Sequence, residues 1–405
     1  MKVGLLTAGT RGDVEPFIAL ALALRAKGAP VLIAAPPELR ELVESFGVPF
    51  RPIRADYLSA ISTIKGRAAT RGNPVAGWQL YRELVLPGVA AMLRDAADAL
   101  QGVDALVFHP KALAGRHLVE AWKVPGWVVA TAPLLVQTDD FPAPSTVHRN
   151  LGPLNRLTYA LPGLAETAVR AEIRSWRLDL GLPQIPARGV RMAGTRRLPV
   201  LHAHSRFLVP TPRDWDADCH VTGFWTVPPA SRASLGLPLV DFLDSGPEPI
   251  VVGFGAMTGP DAAATAQVAV TAARALRRRV VLVGLPEVTG SDVISVGNVP
   301  FRRLFPRAVA TIHHGGAGTT AASLIAGKPT VLVPHGLDQP FWAERVRQAG
   351  VGASVPERSL TAVRLVEALR VALRQDVAHR AELMAESMRT EKGAVAAAEL
   401  ILRDA

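Results

Sequence analysis

Cysteine is almost absent from this sequence. Among 405 residues Cys219 stands alone. A lone cysteine excludes a disulfide framework and any cysteine-based metal site, and it fits a reducing compartment. Long apolar runs are also missing. No stretch reaches the ~18 uninterrupted apolar residues of a membrane-spanning helix, and the longest helix candidates carry Arg, Glu or Asp at regular intervals. The opening residues, M-K-V-G-L-L-T-A, read as a strand whose apolar run is too short for a secretory leader. Together these absences set the expectation of a cytoplasmic chain. Aromatic residues make up only 5%. Neither an RNA-binding aromatic signature nor zinc-finger spacing occurs, so no nucleic-acid partner is expected.

Lysine is scarce too, with 7 Lys against 38 Arg. The net charge is nevertheless +10. Much of it lies between Arg149 and Arg206, where ten Arg face three acids for a local +7. Two readings stay open: a peripheral contact of segment 149–206 with a membrane or an acidic partner, or an Arg-rich genome. What is present is globular in character. Hydrophobic content is 49% with 20% charged residues, and the length allows two domains, each with its own core.

The chain is organised around Thr311–Thr320, T-I-H-H-G-G-A-G-T-T. An apolar run, Ala308–Ile312, leads in, and a small-residue run, Ala321–Ala326, leads out. That is a strand, a glycine-rich turn and a helix. Glycines let backbone N–H groups approach a ligand, and a helix N-terminus favours negative charge. The unit suits a phosphate. His313 and His314 add side-chain donors, and Thr319 and Thr320 add hydroxyls. It is neither a Walker loop nor a dinucleotide fingerprint, because the Gly-Lys-[Ser/Thr] ending and a third spaced glycine are missing. Pro329–Pro334 reads as the next buried strand, followed by the loop His335-Gly336-Leu337-Asp338-Gln339 and a helix from about Pro340. Ligands of open parallel sheets sit beyond the carboxyl ends of the strands. There Asp338 and Gln339 can bind vicinal sugar hydroxyls, because a carboxylate accepts and an amide both accepts and donates.

H-H-G-G-A-G-T-T followed by H-G-x-D-Q-P resembles the donor-binding signature of the UDP-glycosyltransferase superfamily with GT-B fold. The similarity is to the branch of sterol glucosyltransferases and bacterial antibiotic and macrolide glycosyltransferases. It implies an α/β chain with two Rossmann-like, doubly wound parallel-sheet domains facing across a cleft. The first domain, 1–221, would bind the acceptor. A linker, 222–239, would lead to the donor-binding domain, 240–385. Helix 386–405 would pack back on the first domain. G-F-W at Gly223–Trp225 is similar to the family's hinge. The donor set would be His313, Gly315, Gly316, Gly318, Thr319, Asp338 and Gln339. Val299 and Pro300 would lie against the nucleobase. Thr258 or backbone amides would stand in for the family serine that Ala256 replaces.

At the N-terminus, Lys2–Thr7 reads as a strand, Ala8–Glu15 as a loop and Pro16–Lys27 as an amphipathic helix. Asp13 at the strand end is either a helix cap or a chemical group. G-T-R-G-D-V-E-P resembles the branch's N-terminal signature, whose aspartate faces the acceptor hydroxyl as general base. Many plant relatives carry a His in this loop, relayed by a distant Asp; Ala8–Glu15 holds no His. The resemblance therefore assigns Asp13 as the catalytic base. Gly12, Trp78, His109 and Phe141 are the candidate acceptor contacts, with a structural role for His109 left open. Residues 56–77 read as a mobile loop. Leu201–Pro210 reads as the last strand of the first domain, and its His202 and His204 lack a third ligand for a metal.

The function so implied is inverting, metal-independent transfer of a hexose from a UDP- or dTDP-sugar to a hydroxyl of a hydrophobic small molecule. No cofactor or metal is expected, and the chain would be a monomer or dimer. A nucleotide-sugar epimerase would need no acceptor, and a non-catalytic homologue would bind donor without turnover. A nicotinamide oxidoreductase would need a G-x-G-x-x-G opening, which Gly9–Asp13 does not supply.

Overall fold

The computed structural model describes residues 1–55, 83, 85–147, 149–160, 167–184, 189–228, 235–255 and 261–405. The sequence expectations for Trp78, Thr258 and the loop 56–77 lie outside the described residues.

Two parallel sheets account for the architecture. The first holds seven strands in the order β3-β2-β1-β4-β5-β8-β9. They are β1 (Val3–Leu6), β2 (Val31–Ala35), β3 (Phe50–Pro52), β4 (Ala105–Phe108), β5 (Gly126–Ala130), β8 (Val200–His202) and β9 (Cys219–Val221). A two-stranded antiparallel hairpin, β6 (Met192–Ala193) and β7 (Arg196–Arg197), lies between β5 and β8 in the chain. The second sheet has the order β12-β11-β10-β13-β14-β15. Its strands are β10 (Ile250–Gly253), β11 (Val280–Val283), β12 (Val293–Val296), β13 (Ala310–His313), β14 (Thr330–Leu332) and β15 (Gly352–Ser354). Strands β1, β2, β4, β5, β10, β11 and β13 are buried at every residue. That is the burial expected where helices cover both faces of a parallel sheet. It explains why these strands read as continuous Val, Leu and Ile runs.

Each sheet reverses its winding once. In the first, β1 and β4 are neighbours, and in the second β10 and β13 are. The loops after these strands therefore leave in opposite directions and open a crevice at the strand ends. Those loops are Ala8–Thr10, His109–Ala114, the described residues Phe254 and Gly255, and His314–Gly316.

The last helix, Ala394–Asp404, returns to the first sheet. Its Ala394, Ala397, Ala398 and Ile401 share a core with Val14, Phe17 and Leu24 of the first helix. Lys27 and Glu399 pair across the same contact. A further apolar cluster joins the two halves: Phe141, Leu208 and Val209 pack with Leu332, Trp342, Val346 and Met388.

Three expectations change here. The first helix runs Arg11–Ala26, so it begins inside the expected loop and Pro16 lies within it. The backbone N–H of Thr10 donates to Asp13 Oδ2 at 2.8 Å, and this cap starts the helix early. Leu201–Pro210 is not the last strand of the first sheet. Only Val200–His202 is strand, and β9 closes the sheet. Five of the ten Arg of the Arg-rich segment are paired with acids inside the molecule. Arg156 pairs with Asp139 and Asp214, Arg177 with Glu120, Arg191 and Arg197 with Asp216, and Arg206 with Glu391. All five of those acids lie outside the segment, which its own composition does not reveal.

Candidate active site

The first half of the site grows from β1 and β4. Asp13 sits in the first turn of the Arg11–Ala26 helix and is 8% exposed. Thr7 Oγ1 donates to the Asp13 carbonyl at 2.9 Å, fastening that turn to the end of β1. Asp13 Oδ2 accepts the Thr10 N–H and also the Thr10 hydroxyl at 3.2 Å. Gly9 has φ +125°, and a Cβ there would collide with the Asp13 carboxylate. The glycine is thus needed both for its backbone angle and for the room it leaves. Oδ1 faces the loop after β4. Lys111 Nζ donates to it at 2.6 Å, and His109 Nε2 stands at 3.8 Å. Burial alone would raise the Asp13 carboxyl. The Lys111 ammonium and the Thr10 N–H outweigh it and hold the group below its ordinary value. Asp13 is therefore ionised at neutral pH.

His109 is itself buried. Its Nδ1 accepts the backbone N–H of Lys111 at 3.2 Å, which leaves the ring proton on Nε2, toward Asp13. Burial pushes its pKa down to about 4, so the ring is neutral. It orders the loop that presents Lys111. Gly12 is exposed beside Asp13 in the same turn. Phe141 does not line the crevice. It is 2% exposed, packed against Trp215 and Phe341 with the Arg345 guanidinium over its ring. It seals the two halves together, which corrects its reading as an acceptor contact.

The second half grows from β13 and β14. Here the two adjacent histidines part company. His313 is wholly buried. Its Nδ1 accepts the Gly315 N–H at 3.0 Å, and Nε2 lies 2.9 Å from Thr330 Oγ1. Thr330 continues to Thr311 and Ser323. Both ring nitrogens are thus used inside the fold, and His313 shapes the glycine turn from behind. Its assignment as the donor-side histidine is corrected on that ground. His314 is half-buried at the mouth of the turn. An alanine Cβ at Gly316 would lie only 2.6 Å from its Nε2. Its Nδ1 is buried with no hydrogen-bond partner among the described residues. Burial, then the charge of His335, lowers His314 to about 4, so this ring is also neutral and able to donate one N–H.

Gly316 caps the Ala317–Ile325 helix. The first amides of that helix, through Gly318 and Thr319, have no preceding turn to bond to. Gly318 is exposed, and nothing lies within 4 Å of where its Cβ would stand. The loop after β14 places Asp338 beside this helix end. Asp338 is half-buried, and its Oδ2 accepts the Trp342 indole N–H at 2.8 Å. Burial raises its pKa despite that bond. Among its smaller influences, Lys111 lowers it and Asp13 raises it. The two halves of the site therefore sense each other's charge. Gln339 turns inward: it is 2% exposed, and its Oε1 accepts the His335 N–H at 2.8 Å. It braces the loop, and its expected role as a sugar ligand is corrected for that carbonyl oxygen. Val299 and Pro300 are half-buried between β12 and the short helix Phe301–Leu304. Arg302 of that helix donates to Thr226 Oγ1 and the Val227 carbonyl, at 3.0 and 2.7 Å, tying this edge to the interdomain connection.

Lys111 has no sequence signal, since it lies 98 residues from Asp13. His202 and His204 prove to be buried packing residues, with His202 stacked on Trp215 at 4.2 Å.

Comparison with known proteins identifies the family and the fold. The glycosyltransferase family 28 N-terminal domain matches residues 3–138. The C-terminal domain of erythromycin biosynthesis protein CIII-like proteins matches 261–401. The chain is 36% identical to O-mycaminosyltylonolide 6-deoxyallosyltransferase of Streptomyces fradiae, over 99% of this chain and 97% of that one. It is 32% identical to a sterol 3-beta-glucosyltransferase of Arabidopsis thaliana, over 100% of this chain and 65% of that one. Among solved structures, the glycotransferase of kitacinnamycin superposes with a TM-score of 0.74 at 21% identity, covering 99% of this chain and 98% of that one. The protein is a glycosyltransferase of the UDP-glycosyltransferase superfamily with GT-B fold, in the branch that holds the bacterial antibiotic and sterol enzymes.

Proposed function

We propose that the protein moves a hexose from a UDP- or dTDP-sugar to a hydroxyl of a hydrophobic small molecule, with inversion and without a metal ion. The observation that carries this reading is the pairing of the two crevices. An ionised, buried carboxylate at one meets a helix N-terminus, a neutral histidine and a second carboxylate at the other.

In this reading Asp13 removes the acceptor proton as the acceptor oxygen attacks the anomeric carbon. The bond from that carbon to the diphosphate oxygen breaks, and the nucleoside diphosphate leaves with the electron pair. Direct attack from the face opposite the leaving group inverts the centre. The departing charge is met by the amides of Gly316–Thr319 and the His314 N–H, which need no reorganisation at that moment. Asp338 is the group placed for sugar hydroxyls. Val299 and Pro300 form the edge offered to the nucleobase. A macrolide and a sterol relative both support an apolar, hydroxyl-bearing acceptor.

The test is a thermal-shift panel of UDP- and dTDP-sugars with and without EDTA, followed by turnover on macrolide, glycopeptide and sterol aglycones. Ligand at one hundred times its dissociation constant adds roughly 2.7 kcal/mol of stability. A shift that survives EDTA, with product of inverted anomeric configuration by NMR, is expected. A shift abolished by EDTA, or donor turned over without any acceptor, refutes the reading.

A further inference from the structure

We propose that Lys111 is a positioning residue for sugar transfer: its ammonium and Thr10 together fill all but one acceptor position of the Asp13 carboxylate, so the acceptor hydroxyl has a single place to bind. This inference rests on Asp13 acting as the base. An ionised carboxylate offers about four lone-pair positions. Oδ2 accepts two donors, the Thr10 N–H at 2.8 Å and the Thr10 hydroxyl at 3.2 Å. Oδ1 accepts Lys111 Nζ at 2.6 Å. His109 Nε2, at 3.8 Å from Oδ1, is beyond hydrogen-bond reach. Among the described residues, one position remains, on Oδ1.

The two partners differ in kind. Thr10 is part of the helix start, so its hold on Oδ2 is fixed by the backbone. Lys111 is not: its side chain is 48% exposed on a turn, with its own N–H anchored by His109 Nδ1. It can adjust to an incoming hydroxyl while keeping its charge beside Oδ1. The groups facing Asp13 are Thr10 from its own helix start, His109 and Lys111 from the loop after β4, and Asp338 from across the crevice. Of these, only Lys111 brings a full positive charge into contact. In the step itself the acceptor O–H proton passes to the open position of Oδ1, and the new bond to the anomeric carbon replaces its bond to the diphosphate. Without Lys111 the buried carboxylate would hold its proton to higher pH and would no longer be restricted to one orientation for its partner.

The experiment labels aspartate carboxyl carbons with carbon-13 and follows their NMR titration in the full chain. The resonance lost in Asp13→Asn identifies Asp13. In Lys111→Met its midpoint should move up, and Lys111→Arg should return it to the native position. Lys111→Gln replaces the Met variant if that one does not fold. On the donor–acceptor pair found active in the panel above, Lys111→Met should lower kcat about tenfold, with the acid limb of its pH profile displaced upward. Donor KM should change less, and Lys111→Arg should recover most of the rate. An unmoved Asp13 titration, or native kcat and native acid limb in Lys111→Met, overturns the proposal. If Asp13→Asn turns over like the native protein, the base reading falls by itself, and the titration separately decides whether Lys111 governs the carboxyl.

Discussion

Replacing Gly316 by alanine should uncouple donor binding from stability. The backbone at Gly316 has φ −63° and ψ 144°, which alanine adopts without strain. The added Cβ would, however, stand 2.6 Å from His314 Nε2, where ordinary contact begins near 3.4 Å. The obstacle is the far end of a side chain, so the ring retreats and the backbone stays. It must move by roughly 0.8 Å, more than the whole spread of ordinary N–H···O distances, ~2.7–3.2 Å. A hydrogen bond from His314 to a diphosphate would be lost. Such a bond to a charged group contributes about 1.5–3 kcal/mol, equivalent to about 10- to 150-fold in dissociation constant.

The stability terms nearly cancel. Glycine to alanine stabilises by about 0.4–1 kcal/mol through the unfolded chain. Alanine is a poorer helix cap than glycine by a similar amount. Calorimetric titration with UDP and dTDP, beside a thermal melt, reads both quantities. The expected result is a native-like melting temperature with affinity lowered at least tenfold. His314→Gln should lower affinity comparably, and the double variant should be little worse than either single one, because both act through one contact. Native affinity in Gly316→Ala refutes the placement of His314 on the donor.

His313→Ala should behave in the opposite way, losing about 2–4 kcal/mol in denaturant unfolding because it leaves Thr330 and the Gly315 N–H unpaired in the core; a loss confined to donor affinity would contradict its place behind the loop. Phe141→Ala should cost about 3–5 kcal/mol as a large-to-small change in the cluster joining the halves, and acceptor selectivity among turned-over compounds should stay the same. Acid lability should follow from the buried histidines. His109, His204, His313 and His314 fall to about 4, 3, 3 and 4. Below the ordinary value near 6.5 the unfolded chain takes up protons that the folded chain refuses, so the stability these rings contribute is present above pH ~6.5 and declines as pH falls toward their folded values. Each ring contributes a slope of about 1.4 kcal/mol per pH unit; a melting temperature flat from pH 7 to pH 5 would refute their burial as neutral rings.

The parts of this molecule that were legible in the sequence are those governed by local periodicity. Val280–Val283 is a strand with the bounds that its apolar run suggests, because a strand covered on both faces must be apolar throughout. The glycine turn was legible for the same reason: backbone angles select glycine locally. What escaped was direction and distance. His313 and His314 are adjacent and chemically identical, but His313 is the last residue of its strand and His314 the first of the turn, so their rings part. Sequence alone does not say which way is inward until the strand's end is fixed to within one residue. The start of the first helix was readable and was missed. Thr10-x-x-Asp13 has the spacing of a capping box, but Pro16 drew the boundary to itself. That misplacement hid the point on which the site turns. Asp13 is a cap and a candidate base at once, since Oδ2 serves the helix while Oδ1 faces the crevice. The two roles that seemed to compete for this residue are divided between its two oxygens, and the cap is what holds the second oxygen in place.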